Sequence, residues 1–291
     1  MRNRGLPGAD CAIAQAAAVA GEWWTLLIVR DIAGGIHRFD GLQAELAISR
    51  KVLAERLAAL VADGVLERRL YQARPPRHEY HLTPSGRGLV PVLIALQDWG
   101  SRFVLGDGTL TASSGPRSAE ARRMRSLPGV CVPPLALPAS TGPARDPVAE
   151  SRWTVVFCYP GAYAASSAYP EGWSEIPGAA GCTLEAATFR DRIGEFAARD
   201  AAVVGVSTQR PGEQAAFAAK ARISYPLLSD QELRLAAALR LPTFRVCGRD
   251  NLKRLTLIVG RDRGIRHVLY PITDPVASVE QALALLERAG A

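Results

Sequence analysis

Five cysteines, at positions 11, 131, 158, 182 and 247, are the residues of this chain best suited to covalent chemistry. Their number is odd and their spacing wide. No C-x-x-C pair occurs, and the histidines at 37, 78, 81 and 267 complete no zinc pattern, so neither a metal nor a cofactor is expected. Cys182 stands out because it follows a Gly/Pro-rich stretch, IPGAAG, and opens a segment, CTLEAATFRD, that reads as a helix. Unpaired N–H groups at a helix N-terminus favour the thiolate, the form that attacks a peroxide O–O bond and becomes a sulfenic acid. A cation would assist, and Arg254 in KRLTLIV, on what reads as an opposing strand, is the best candidate.

The elements that must position these groups fall into two sets. Residues 107–125, DGTLTASSGPRSAEARRMR, hold few large apolar side chains and much Gly, Ser, Ala and Arg, which is a linker composition. The expected division is therefore 1–106, a linker over 107–125, and 126–291. In the second part WTVVFCYP and AAVVGVS read as buried strands, with helices expected over 182–199, 212–222 and 230–240. KRLTLIVG and IRHVLYP flank a Gly-Arg-Asp-Arg-Gly turn as a hairpin, and a last helix runs from about Val276 to Arg288. Strands alternating with helices indicate an α/β layered domain.

The first part is mostly helical. A helix through EWWTLLIVRDIA ends at Gly34 and Gly35, a short one covers 39–47, and Ser49 is a good N-cap for the next, over 50–63. VLERRLYQ and HEYHLT alternate like two strands around Ala-Arg-Pro-Pro-Arg, and a helix of eighteen or more residues, roughly, is expected from Pro84. Two helices joined by a tight turn and followed by a hairpin make a winged helix-turn-helix, whose second helix enters the major groove of DNA. That helix begins Ser49-Arg50-Lys51 and carries Arg56, and the hairpin tip carries Arg74 and Arg77, suited to phosphate or minor-groove contact. The net charge of +7 agrees with an anionic partner. No apolar run reaches the roughly 20 residues of a bilayer span, and Met1 to Asp10 lead into no signal-peptide core, so a cytoplasmic protein without membrane contact is expected.

Residues 10–104 resemble the HxlR-type transcriptional regulators, through WTLLIVRD, RFDGLQ, ISRKVLAERL and RPPRHEYHLT. The resemblance implies binding to double-stranded DNA as a homodimer, with the helix over 84–105 in the interface. It also draws attention to Cys11, since members of that family carry a cysteine near the start of the first helix that in some cases senses oxidants.

The second part resembles peroxiredoxins, especially the peroxiredoxin Q type, through FCYP, PGAAGCT, EAATFRD, VVGVS, YPLLSD and RLTLIV. This implies a thioredoxin-like fold, a peroxide substrate, and a thiol reductant such as thioredoxin. It also implies Cys182 as the peroxidatic cysteine, Arg254 as the catalytic arginine and Pro160 as the active-site proline, with Arg190 and Asp191 in supporting roles. Three departures are visible. GAYAASSAYPEGWSEI intervenes after Pro160, Ala179 replaces the threonine expected three residues before the cysteine, and Ala187 stands where a resolving cysteine often lies. Cys158 and Cys247, and Cys11 as a sensor, remain candidates for a second thiol.

The expected architecture is thus two domains, a mostly α winged helix-turn-helix followed by an α/β thioredoxin-like domain. The first functional reading is a redox-responsive DNA-binding regulator that reacts with peroxide through Cys182. A thiol peroxidase carrying a DNA-binding domain, and a repressor with an inactive thioredoxin-fold module, are the alternatives.

Overall fold

The computed structural model describes residues 10–290. Most of the N-terminal stretch read for a targeting signal therefore lies outside the described residues. The chain forms two compact units, residues 1–93 and 94–291.

The first unit contains α1 (Ala12–Ala20), α2 (Trp23–Ala33), α3 (Phe39–Leu46), α4 (Arg50–Ala62), β1 (Leu66–Gln72), β2 (Arg77–Leu82) and α5 (Pro84–Arg87). Its core is built by Ile28, Val29 and Ile32 of α2, Leu42 of α3, and Leu53, Leu57 and Leu60 of α4. These side chains recur at three- and four-residue spacing, which places them on one face of each helix. Between α3 and α4 the chain turns at Ala47, in the left-handed region at φ +50°, and Ser49 Oγ then accepts the Val52 N–H at 3.3 Å as the cap of α4. β1 and β2 pair antiparallel, Leu66 opposite Leu82 and Arg69 opposite Glu79. Helix α6 (Val90–Trp99) follows α5, and a π-helical turn covers Gly100–Val104. The one long helix expected from Pro84 is thus three pieces. Pro91 lies in the first turn of α6, where its missing N–H costs nothing, but it could not have continued α5.

In the second unit, α7 is Ala119–Arg125, β3 Trp153–Cys158, α8 Cys182–Asp191, α9 Ile193–Ala197, β4 Ala201–Ser207 and α10 Pro211–Ala221. They are followed by β5 (Leu227–Ser229), α11 (Arg234–Leu239), β6 (Thr243–Val246), β7 (Arg249–Leu252), β8 (Leu255–Gly260), β9 (Ile265–Leu269) and α12 (Pro275–Gly290). The main sheet has the order β5-β4-β3-β8-β9. β3 is parallel to β4 and antiparallel to β8, and β4 is parallel to β5. The central strands are apolar almost throughout because both faces are covered. Helices α8 and α12 meet on one face through Ala186, Phe189, Val279, Ala282 and Leu283.

The stretch 107–125, expected as a linker, is ordered within this second unit. Ala121 and Met124 of α7 are fully buried. Lys253 Nζ donates to Glu120 Oε2 at 2.9 Å, and Arg123 donates to the Leu239 carbonyl at 2.9 Å. Upstream of it, Gln97 Nε2 donates to the Leu241 carbonyl at 2.8 Å. These bonds attach 94–125 to the α/β unit, so the compact units divide earlier than position 106. Small and basic residues resemble a linker in composition, yet here they supply backbone-directed donors and a short capped helix.

Candidate functional site

The register of the sheet brings the thiol chemistry together. Cys158, last in β3, pairs with Leu255, first in β8, so Arg254 lies beside the chain as it leaves β3 through Pro160 and Gly161. Opposite, Gly181 caps α8 at φ +97° and delivers Cys182 as the first helical residue. Only glycine suits this corner. Its backbone is left-handed, and a Cβ would come within 2.8 Å of Pro275 Cγ.

Arg254 Nη2 donates to Cys182 Sγ at 3.2 Å and to the Ala180 carbonyl at 2.9 Å, while its Nη1 donates to Glu185 Oε2. All three side chains are buried, Cys182 at 2 % exposure and Arg254 at 2 %. Glu185 lies one turn beyond Cys182 on the same face of α8, which is why both reach one guanidinium. Ser278 Oγ also donates to Glu185 at 3.5 Å. The thiol S–H donates to the Ala179 carbonyl at 3.5 Å, and the Gly161 backbone amide favours the thiolate.

The electrostatics are a contest. Burial pushes the Cys182 thiol up, Arg254 pulls it down, the Glu185 charge pushes it up again, and the Gly161 amide pulls it down. The net direction is upward, contrary to the lowered value expected from the helix N-terminus. Desolvation of a sulfur at 2 % exposure outweighs the donors around it. Glu185 is likewise pushed up by burial, to about 7, although Arg254 opposes the shift.

In front of Cys182 opens a cavity of about 410 Å³, lined by Tyr169, Pro170, Trp173 and Ala179 together with Ser166, Gly172 and Ser174. Its outer wall is the segment after Pro160, which folds on itself as an aromatic cluster. Tyr163 meets Tyr169 with ring centroids 4.8 Å apart, and Trp173 meets Phe244 at 6.0 Å. Sequence reasoning treated this segment only as an interruption.

Of the other expected thiols in this unit, Cys158 faces away from the sulfur and Cys247 touches the segment that walls the cavity. Cys158 lies between Phe157 and Tyr159, which share the apolar cluster of Cys182, so alternation along β3 turns Cys158 to the opposite face. It is fully buried there, and burial pushes its thiol up strongly. Cys247 occupies the turn between β6 and β7 at φ +47°, exposed, with Sγ 4.0 Å from the Glu171 carbonyl. Cys11 is exposed at the start of α1, and Cys131 is exposed as well. Arg190 bonds to Asp191 at 2.8 Å and also to the Ala221 carbonyl, a bracing role away from the sulfur. One contributor was missed by sequence reasoning, Glu185, for which the three-residue offset from Cys182 was a usable signal.

On the first unit, Lys51, Arg74 and Arg77 are exposed. Ser49 is the α4 cap. Arg50 donates to Asp40 Oδ1 at 3.2 Å and to Gln43 Oε1 at 3.1 Å and lies over the Phe39 ring, so it is held against α3. Arg56 is turned toward Glu22, at 3.5 Å.

The HxlR-like helix-turn-helix family matches residues 19–106, and the AhpC/TSA family matches residues 133–268. An HTH-type transcriptional regulator of Mycobacterium tuberculosis is 40% identical over 93 residues, 32% of this chain and 59% of that protein. The chain thus spans about three fifths of that relative's length. The HTH-type transcriptional regulator YdeP of Bacillus subtilis is 32% identical over 112 residues, 35% of this chain and 87% of YdeP. Among solved structures, the peroxidoxin BcpB of M. tuberculosis is 32% identical, with a TM-score of 0.45, covering 55% of this chain and 96% of that one. Among the described residues no single helix is long and apolar enough to cross a membrane. The chain belongs to the HxlR-like helix-turn-helix transcriptional regulators, and its residues 133–268 match the AhpC/TSA family.

Proposed function

We propose that this protein is a redox-responsive transcriptional regulator acting in the cytoplasm as a homodimer, in which Cys182 reacts with a peroxide and its oxidation state sets the affinity of the helix-turn-helix for double-stranded DNA. The observation that carries the reading is the contact of Arg254 with Cys182, 3.2 Å long and buried, in a chain whose other unit is a DNA-binding fold. The Cys182 thiolate attacks one peroxide oxygen. The S–O bond forms as the O–O bond breaks, and the departing oxygen takes a proton to leave as water or an alcohol. Sulfur is oxidised by two electrons and the peroxide reduced by two. A second thiol, of thioredoxin type, then forms a disulfide with release of water, and a further thiol restores Cys182.

Cys158 faces away and Ala187 offers no thiol, which leaves Cys247, exposed and 4.0 Å from the Glu171 carbonyl on the segment that walls the cavity, as the candidate second thiol of this unit. Exposed Trp99 and Phe103, at 56% and 53%, support a dimer through the region after α5. Lys51, Arg74 and Arg77 are the best-placed DNA contacts, with Ser49, Arg50 and Arg56 in positioning roles.

The test is DNA affinity before and after one equivalent of peroxide, on duplexes enriched against the reduced protein, for wild type and Cys182→Ser. The expected outcome is a peroxide-dependent change in wild type that C182S lacks. An unchanged wild-type affinity, with Cys182 found as sulfenate, would return the peroxidase reading. A Cys182 that stays reduced would leave the inactive-module reading.

A further inference from the structure

The Gly161 amide that favours the Cys182 thiolate belongs to a loop without secondary structure, next to Ala162 in the buried cluster that holds Cys182, and something must hold it there. The neighbouring residue is clamped from across the sheet. Ala162 N–H donates to Gln209 Oε1 at 2.8 Å, and Gln209 Nε2 donates to the Ala162 carbonyl at 2.9 Å. One carboxamide thus satisfies both backbone groups of one residue, imitating a strand partner. Gln209 and Ala162 are buried, Gln209 at 3 % exposure.

The clamp is itself anchored. Ser229 Oγ, at the end of β5, donates to the Gln209 carbonyl at 2.6 Å, and the Gln209 N–H donates to Ser207 Oγ at 3.4 Å. Ser207 Oγ in turn accepts Gln214 Nε2 of α10 at 2.9 Å, and that same amide donates to the Leu228 carbonyl at 2.8 Å. A buried polar layer therefore ties the C-terminal ends of β4 and β5 to the loop that leaves β3. Buried polar groups are costly unless paired, so a carboxamide placed here with both ends used marks a position that the fold holds firmly.

We propose that Gln209 is a positioning residue for the reaction at Cys182. It fixes Ala162 so that the adjacent Gly161 amide stays in place and supports the thiolate against burial. This rests on the functional reading above for its purpose, but its geometry is independent of which oxidant reacts. Without the clamp the loop relaxes, the support of the amide is lost, and the thiolate becomes harder to form.

The experiment is the pH profile of iodoacetamide alkylation at the Cys182 peptide, followed by mass spectrometry in the reduced full chain, with thermal melts alongside. Gln209→Met keeps length and removes both hydrogen bonds. Its midpoint should rise by about one pH unit, the effect of one lost donor to an ion. Higher thiolate nucleophilicity recovers part of the loss, so the rate at pH 7 should fall about threefold. Gln209→Glu supplies the second reading. As a neutral acid it can accept from Ala162 N–H and donate to the Ala162 carbonyl, but as a carboxylate it can only accept. Its rate relative to wild type should be near one at about pH 5.5 and fall about threefold by about pH 8.5, as ionisation removes the donor. If Q209M fails to fold, Q209E decides. A Q209E ratio that stays constant across pH, or a folded Q209M with the wild-type midpoint, would overturn the proposal. A wild type that alkylates at Cys182 yet forms no sulfenate with peroxide would defeat the functional reading and leave this one standing.

Discussion

Arg254 carries the largest favourable charge on Cys182, so replacing it gives the sharpest test of the thiol site. Arg254→Met keeps an unbranched side chain of similar reach and removes the cation. The lost contact is a guanidinium donor 3.2 Å from sulfur, with both groups buried. Two unit charges about 4 Å apart at an effective dielectric of about 20 attract by about 4 kcal/mol. Glu185 shares the same guanidinium, and some of the attraction is already spent on it, so about 3 kcal/mol is assigned to the thiolate, near the upper end for a hydrogen bond to a charged group. That corresponds to a rise of about two pKa units. Below the thiol pKa the thiolate fraction then falls about a hundredfold, while each remaining thiolate gains about tenfold in nucleophilicity with a Brønsted coefficient of about 0.5. Alkylation at pH 7 should therefore slow about tenfold, and the midpoint of the pH profile should rise by about two units. Arg254→Lys should fall between, since one ammonium cannot serve Cys182, Glu185 and the Ala180 carbonyl in the same fork. A midpoint within a few tenths of wild type in R254M, with the fold intact by circular dichroism, would refute the assignment.

Glu185→Gln tests the buried carboxylate. Its pKa is raised to about 7 from an ordinary 4.5, so its contribution to stability is present below pH 4.5 and is lost as pH rises through 7. E185Q should gain on wild type by up to about 3 kcal/mol between those limits, read as a urea midpoint that separates from wild type at pH 8 but not at pH 4.5; parallel curves would contradict it. Gly181→Ala forces a Cβ into Pro275 at a left-handed φ and should cost about 1–3 kcal/mol, with a slower Cys182, in denaturant titration and alkylation respectively. On the DNA-binding unit, the double variant Arg74→Ala/Arg77→Ala should weaken binding to all duplexes alike. It should also flatten the slope of log K against log salt by about 2, whereas an unchanged slope would place the wing off the phosphates. Leu57→Ala, at 1 % exposure in the core beneath α4, should destabilise by about 2–5 kcal/mol without altering the Cys182 pH profile.

The helix-turn-helix unit was legible because each of its signals is local. The spacing of Leu53, Leu57 and Leu60 fixes a helix face, Ser49 caps it, and alternation with a Pro-Pro tip fixes the hairpin. Reading failed where one residue has two local meanings. Pro91 sits as well in a first turn as at a break, so α5 and α6 were read as one helix. In the second unit β3, β4 and β8 announce themselves by apolar runs, and β9 by the Gly-Arg-Asp-Arg-Gly turn before it. β5, with three residues, is too short to show a period. The β6–β7 hairpin was also unread, although its two-residue corner, Cys247-Gly248, has positive φ at both positions, +47° and +74°, the requirement of a tight hairpin turn. Gly248 was the available signal, and the attention given to Cys247 as a thiol obscured its role as a corner.

The thiol site divides along the same line. Cys182 and Arg254 were legible as residue types in a recognisable context, and the structure brings Arg254 to the sulfur, while Pro160 lies in the loop that leaves β3. What local sequence cannot convey is the solvent. A cysteine opening a helix reads as an acidic thiol, but at 2 % exposure desolvation reverses the sign. The site therefore does not hold a free thiolate by default. It balances a buried sulfur against three supports drawn from separate elements: a cation beside β8, an amide after β3, and the start of α8. A balance of this kind is sensitive to small displacements of any support, because a change of about 1.4 kcal/mol in the thiolate's environment is tenfold in its population. Such a site answers movement elsewhere in the fold with a change in thiol chemistry, and by linkage a change in thiol chemistry returns a force on the same elements. Under the proposed regulator reading, that reciprocity between Cys182 and the strands and helix that carry its supports is what would transmit a change at the thiol.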